Sequence, residues 1–298
     1  MAKILLAHPL FLSQNADEMA MSSPYFPLGL LYLAGYVREK GHAVAIFDGT
    51  FEADDAAFAE RLAIEKPDIV GISALITNSK TALKLAQMAQ DAGIIVLLGG
   101  PDPTKDPAAY MQFPQVDLVA HHEGEQTLVA LLNQIDKGGL TLETLSHELG
   151  IAFRHNGQII VNAPRPPIDN LDTLPLPARD LIDMDRYLDT WQTQNGYSSM
   201  TITTSRGCPY GCDWCAESVH GTNLRQRSPE SVAAEMKLLK ETYKIDRLRV
   251  VDDVDGLDRA WIEAWANSAE TLNAVIPFEA LYDLQRQDLP MLEVRDSL

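Results

Sequence analysis

Residues 68–104, DIVGISALITNSKTALKLAQMAQDAGIIVLLGGPDPT, carry the pattern from which the fold is read. Two aliphatic runs, 68–74 and 94–98, flank a stretch at 79–92 whose apolar residues recur at helical spacing. Near-continuous aliphatic strands bury both faces, which calls for a parallel sheet covered by helices on both sides. Working outward, the same unit repeats: strands are expected at 3–8, 43–47 and 117–120, and helices at 28–40, 54–65, 105–112 and 125–136. The region from 3 to 138 therefore reads as a doubly wound α/β sheet.

Ligands of such sheets lie outside the carboxyl ends of the strands. The loops there are HPLFLSQNADEMAMSSPYFPLG (8–29), DGTF (48–51), LITNS (75–79), GGPDPT (99–104) and HHEGEQT (121–127). Ser73, Thr77 and Ser79 offer hydroxyls for a polar ligand tail, and Gly99 and Gly100 clear space for a planar group; closing a tight turn is the other reading of the two glycines. The first connection runs about 20 residues where two to six are usual, and a loop of that length covers something. No G-x-G-x-x-G follows the first strand and no G-x-x-x-x-G-K-[ST] occurs, which disfavours ordinary dinucleotide and triphosphate sites.

A hairpin is expected at 149–161, turning on Asn156-Gly157, followed by a Pro- and Asp-rich strap. Domains are thus expected at 1–140, 141–195 (hairpin and linker) and 196–298. The formal net charge of −18, with no basic cluster, argues against a nucleic-acid partner. No apolar run approaches the roughly 20 residues of a membrane span, and the first strand follows Met1 too closely for a secretion signal, so a cytoplasmic location is expected.

All three cysteines fall in 204–218, TSRGCPYGCDWCAES, as Cys208, Cys212 and Cys215, directly after the strand-like SMTITTS (199–205). Three thiolates on one loop can hold three irons of a cubane cluster and leave the fourth open to a small molecule. A zinc site completed by His220 and a redox pair of Cys212 with Cys215 are the competing readings.

SRGCPYGCDWC resembles the cluster loop of radical S-adenosylmethionine enzymes, with Trp214 in the aromatic position of C-x3-C-x-aromatic-C. Residues 27–50, 99–104, 123–127 and 169–183 resemble the cobalamin-binding domain and linker of the subfamily that joins the two. The resemblance implies an N-terminal Rossmann/flavodoxin-like cobalamin-binding sheet followed by a partial βα barrel. It implies a 4Fe-4S cluster on Cys208, Cys212 and Cys215, whose open iron takes the amino and carboxylate groups of S-adenosylmethionine. The resulting 5'-deoxyadenosyl radical abstracts hydrogen from an unactivated carbon, and in many relatives methylcobalamin then supplies a methyl group; others form rings. Ser73, Thr77, Gly99, Gly100, Glu123 and Gly124 would lie along cobalamin. Trp214, Asp252, Asp253 and Arg286 would meet S-adenosylmethionine, although a strand-terminal turn is an equal reading of the two aspartates. A small-molecule substrate and an electron donor such as flavodoxin or ferredoxin are the partners implied.

Three departures stand out. Asp17 is not followed by the histidine of D-x-H-x-x-G, so cobalamin is expected without a protein histidine on cobalt, and His8, His121 and His122 read as polar loop residues. The family's Gly-Gly-Glu stretch is replaced at the end of the second barrel strand by Asp252-Asp253, with Gly256 beyond. Strands are expected only at 199–204, 247–252 and 277–283, about three βα units of the usual six. The expectation is a fragment of a longer enzyme, or a corrinoid- or partner-binding module without turnover.

Overall fold

The computed structural model describes residues 1–14, 23–213, 215, 219–254 and 258–280. The chain packs as two units that are not contiguous in sequence: one of 1–22, 29–167 and 177–182, the other of 23–28, 168–176 and 183–298.

In the first unit β1 (Lys3–His8), β2 (Ala43–Asp48), β3 (Ile69–Ser73), β4 (Ile95–Gly99) and β5 (Leu118–Ala120) are parallel, in the order β2-β1-β3-β4-β5. The expected doubly wound sheet is present, with strand ends within one or two residues of the expected ones. Its helices include α1 (Leu28–Glu39), α2 (Ala56–Glu65), α3 (Ser79–Asp91) and α6 (Glu125–Asp136). Leu5, Val70, Ile72, Val96 and Leu98 join Phe58, Leu85 and Ala89 in one buried cluster. Ile4, Leu6, Ile69 and Leu97, which alternate with these strand residues, are buried as well, and together they give the two-sided burial that the aliphatic runs require.

Two expectations change. The helix expected at 105–112 is a pair, α4 (Pro101–Lys105) and α5 (Pro107–Tyr110). Between them Asp106 sits at φ −144°, and its carboxylate caps the second helix by accepting from Ala109 N at 2.9 Å. Pro107 suits the start of a helix and not its interior. The hairpin forms as β6 (Ile151–His155) and β7 (Gln158–Val161), turning on Asn156 (φ 48°) and Gly157 (φ 76°). It is not a detached connector: β6 pairs antiparallel with β5 and extends the sheet to seven strands. Helix α7 (Leu142–His147) precedes it.

In the second unit β8 (Ser199–Ile202), β11 (Arg247–Val250) and β12 (Phe278–Glu279) form a parallel sheet, with α9 (Pro229–Tyr243) and α10 (Arg259–Thr271) as the crossovers. Met200, Ile202, Leu248 and Val250 of the strands are buried, as are Met236, Leu239 and Trp265 of the crossover helices. The end of the expected strap is a helix, α8 (Met184–Asn195). Its start and stop signals are in the sequence: Asp183 accepts from Arg186 N at 3.1 Å, and Gly196 closes the last turn at φ 77°. Its buried stripe of Met184, Tyr187, Leu188 and Trp191 recurs at helical spacing. Residues 23–28 pack here, where Trp191 Nε1 donates to Pro24 O at 2.9 Å and Phe26 meets Tyr187 edge-on at 6.0 Å. The long connection after β1 thus delivers a segment to the second unit. Among the described residues no helix is long and apolar enough to cross a membrane.

Candidate functional site

The cysteine loop starts five residues beyond the end of β8. Short strands β9 (Ser205–Arg206) and β10 (Arg225–Gln226) pair antiparallel, Arg206 opposite Arg225, and close residues 207–224 into a loop with its feet together. Gly207 has φ 90°, and a Cβ there would overlap the Asn223 carbonyl oxygen, so only glycine brings the outgoing strand this close to the returning one. Cys208 N donates to Gly221 O at 3.1 Å, and Cys215 N donates to Cys212 O at 3.0 Å.

Cys208 is half-buried, Cys212 and Cys215 are exposed, and no disulfide joins any two of them. Among the described residues no three His, Cys, Asp or Glu side chains are gathered closely enough to hold a metal ion, the cysteines included. The donor chemistry nevertheless fits an iron–sulfur cluster: three soft sulfur donors share one loop whose base is fixed, and two of them are exposed.

The base is held by buried charge. Asp252, 5% exposed, accepts from Thr203 Oγ1 and Ser205 Oγ at 2.8 Å, from Thr204 N at 2.7 Å, and from Thr204 Oγ1. Asp253 accepts from Gly207 N at 3.1 Å. From the returning side, Arg227 donates to Thr203 O at 3.0 Å and pairs with Glu235, which is fully buried. Arg225 donates to His220 O at 2.9 Å and Ile168 O at 2.7 Å. The two aspartates thus bind the base of the cysteine loop, just beyond β11, where the sequence offered both a cofactor contact and a strand-terminal turn. Arg225 and Arg227 were not anticipated; basic residues alternating just before the helix cap Ser228 were the available signal. Trp214, Gly256 and Arg286 lie outside the described residues, as does Asp17.

In the first unit, the strand order reverses between β1 and β3, and the crevice at that point is where flavodoxin-like sheets take their ligands. Ser73 ends β3 and Gly99 ends β4, side by side in register. A Cβ on Gly100 (φ 102°) would come within 2.8 Å of Ala74 O and 3.1 Å of Ser73 Oγ, so this glycine is required by the turn itself. Thr77 is exposed on the loop beyond β3. Glu123 is buried and Gly124 abuts α1, where an added Cβ would lie 3.1 Å from Leu33 Cδ2. Ser73, Gly99 and Gly100 are brought together, whereas Glu123 and Gly124 stand at the start of α6 beyond β5. Beside them, Tyr110 OH donates to Asp102, and burial pushes the Tyr110 phenol well above its usual range.

Two histidines here are enclosed. Burial pushes the His8 imidazole below its ordinary value, opposed by Asp48. Burial and the neighbouring His122 push His121 down as well, and its buried Nε2 finds no partner among the described residues. The folded chain therefore binds fewer protons than the unfolded one once pH falls below an ordinary histidine value of about 6.5. Stability is full above that pH, declines as pH falls, and levels out below the depressed folded values. The urea midpoint is expected to drop from pH 7.5 to 5.5, and a His8→Gln/His121→Gln double variant to show a flatter dependence.

A model of the B12 binding domain matches residues 21–132. An uncharacterized methyltransferase of Pyrococcus horikoshii is 35% identical over 86% of this chain and 54% of its own length. An anaerobic magnesium-protoporphyrin IX monomethyl ester cyclase of Rubrivivax gelatinosus is 27% identical over 86% of this chain and 46% of its own. The chain spans about half the length of these curated relatives. Among solved structures, the cobalamin-dependent S-adenosylmethionine radical enzyme OxsB superposes with a TM-score of 0.78 at 20% identity, covering 100% of this chain and 42% of that one. The radical S-adenosylmethionine methyltransferase TsrM of Kitasatospora setae does so with 0.79 at 18%, covering 100% and 57%.

Proposed function

We propose that the chain belongs to the family of radical S-adenosylmethionine enzymes that carry a cobalamin-binding domain, and that it forms the cofactor-binding part of a methyltransferase acting on an unactivated carbon. The observation that carries this reading is the donor set: three cysteines at C-x3-C-x2-C, on a loop closed by its own ladder at the carboxyl end of β8. When bound, a 4Fe-4S cluster with S-adenosylmethionine supplies a 5'-deoxyadenosyl radical, and methylcobalamin supplies a methyl group. Cys208, Cys212 and Cys215 hold the cluster. Trp214 and Arg286 contact S-adenosylmethionine, the guanidinium pairing with its carboxylate. Ser73, Thr77, Gly99, Gly100, Glu123 and Gly124 border cobalamin, with no histidine on cobalt. A small-molecule substrate and an electron donor of the flavodoxin or ferredoxin type complete the system.

Ring formation is the second reading, favoured by the cyclases among the relatives. The test is anaerobic reconstitution with iron, sulfide and cobalamin, followed by incubation with S-adenosylmethionine and a reductant. A methyltransferase yields both 5'-deoxyadenosine and S-adenosylhomocysteine; a cyclase yields the first without the second. A reconstituted protein that releases neither ends both readings.

A further inference from the structure

We propose that Asp252 is the positioning residue of the cysteine loop: a buried carboxylate, supplied by the end of β11, that sets where Cys208 leaves the sheet. The inference rests on the reading of the three cysteines as cluster ligands, but the geometry of the clamp does not depend on which metal they hold.

Asp252 collects donors from three consecutive residues, Thr203, Thr204 and Ser205, all within the segment that links β8 to the first foot of the loop. Both carboxylate oxygens accept: Oδ1 faces Thr203 Oγ1 and Thr204 N, and Oδ2 faces Thr204 Oγ1 and Ser205 Oγ. The partners are 47 to 49 residues away in sequence, so the clamp fixes one parallel strand end against another. The opposite side of the same segment is held by Arg227, whose backbone N donates to Thr204 O at 2.8 Å and whose guanidinium donates to Thr203 O. Residues 203–205 are thus gripped from both flanks, and Cys208 follows three residues later. The thiols meanwhile are not gathered. The base of the loop is therefore set without metal, and the clamp is expected to hold it in the same place when the cysteines are loaded. Charge-assisted hydrogen bonds to a buried carboxylate are strong and its loss leaves several donors unpaired, so one side chain commands the whole segment.

The test compares Asp252→Asn with Thr204→Val, which deletes a single donor, and Asp253→Asn. Amide hydrogen exchange on the metal-free protein reads the clamp without any cluster. The Thr204 amide is expected to exchange at least about tenfold faster in Asp252→Asn, the scale of one lost charge-assisted hydrogen bond, with a smaller gain in Thr204→Val. After anaerobic reconstitution and one-electron reduction with dithionite, Asp252→Asn is expected to retain less iron and to give a broadened, shifted electron paramagnetic resonance signal even before S-adenosylmethionine is added. Exchange at Thr204 that matches wild type overturns the clamp. So does a variant that assembles a wild-type cluster signal and loses only the response to S-adenosylmethionine, which would make Asp252 a cofactor ligand. If Asp252→Asn does not fold, Thr204→Val decides by the same two measurements. A wild type that takes up no cluster defeats the functional reading, and the exchange result then judges the clamp by itself.

Discussion

Alanine at Cys208, Cys212 or Cys215 is expected to reduce iron after anaerobic reconstitution from full occupancy to background, in each of the three single variants. A cubane held by three thiolates has no redundancy on the protein side, and among the described residues no other His, Cys, Asp or Glu group is assembled to substitute. The same variants are expected to leave the fold alone. Cys212 and Cys215 are exposed, so their replacement costs no more than about 0.5 kcal/mol, the usual limit for surface substitutions away from special features. Iron content and the cubane absorption, measured beside the thermal midpoint, separate the two effects. A Cys208→Ala protein that keeps the cluster signal would place the metal elsewhere.

Gly207→Ala is the second large effect, and here stability and cluster are lost together. The residue sits at φ 90°, where an L side chain is strained by roughly 1–3 kcal/mol. The added methyl also overlaps the Asn223 carbonyl oxygen and crowds Gly221 O at 3.2 Å. Relief requires parting the feet of the loop, which breaks the Arg206–Arg225 pairing and the Cys208 N to Gly221 O bond. Gly211, four residues on, is the internal control: nothing lies within 4 Å of its added Cβ, so Gly211→Ala is expected to fold and load as wild type. Differential scanning calorimetry and iron analysis of the two variants make the comparison, and equal behaviour would refute the steric account.

The parts of the fold most legible in the sequence were those whose cause is local. Runs such as IVGIS and IVLLG announce strands because they are buried on both faces, and the closing of one loop around all three cysteines is local enough to be expected from their spacing. What stayed hidden was non-local. Nothing near Ile151–His155 indicates that its partner is Leu118–Ala120, which turned an expected connector into two strands of the main sheet. Asp252 read only as a cofactor contact or a strand-terminal turn, because the partners it binds lie 47 to 49 residues upstream. Helix α8 was missed for a different reason: the Pro and Asp density just before it masked a cap and a buried stripe that were in plain view.

The division of the chain bears on how this protein can be dissected. Residues 23–28, 168–176 and 177–182 each belong to the unit other than the one their immediate upstream neighbours belong to, so the polypeptide changes unit at every one of those points. A gene fragment beginning at residue 183 would encode Trp191 and Tyr187 without the Pro24 and Phe26 that cover them. A single cut in the strap would therefore orphan apolar surface in the downstream piece. Recombination by module swapping, in the laboratory or in evolution, would have to carry a six-residue stretch from near the amino terminus along with the carboxyl-terminal unit.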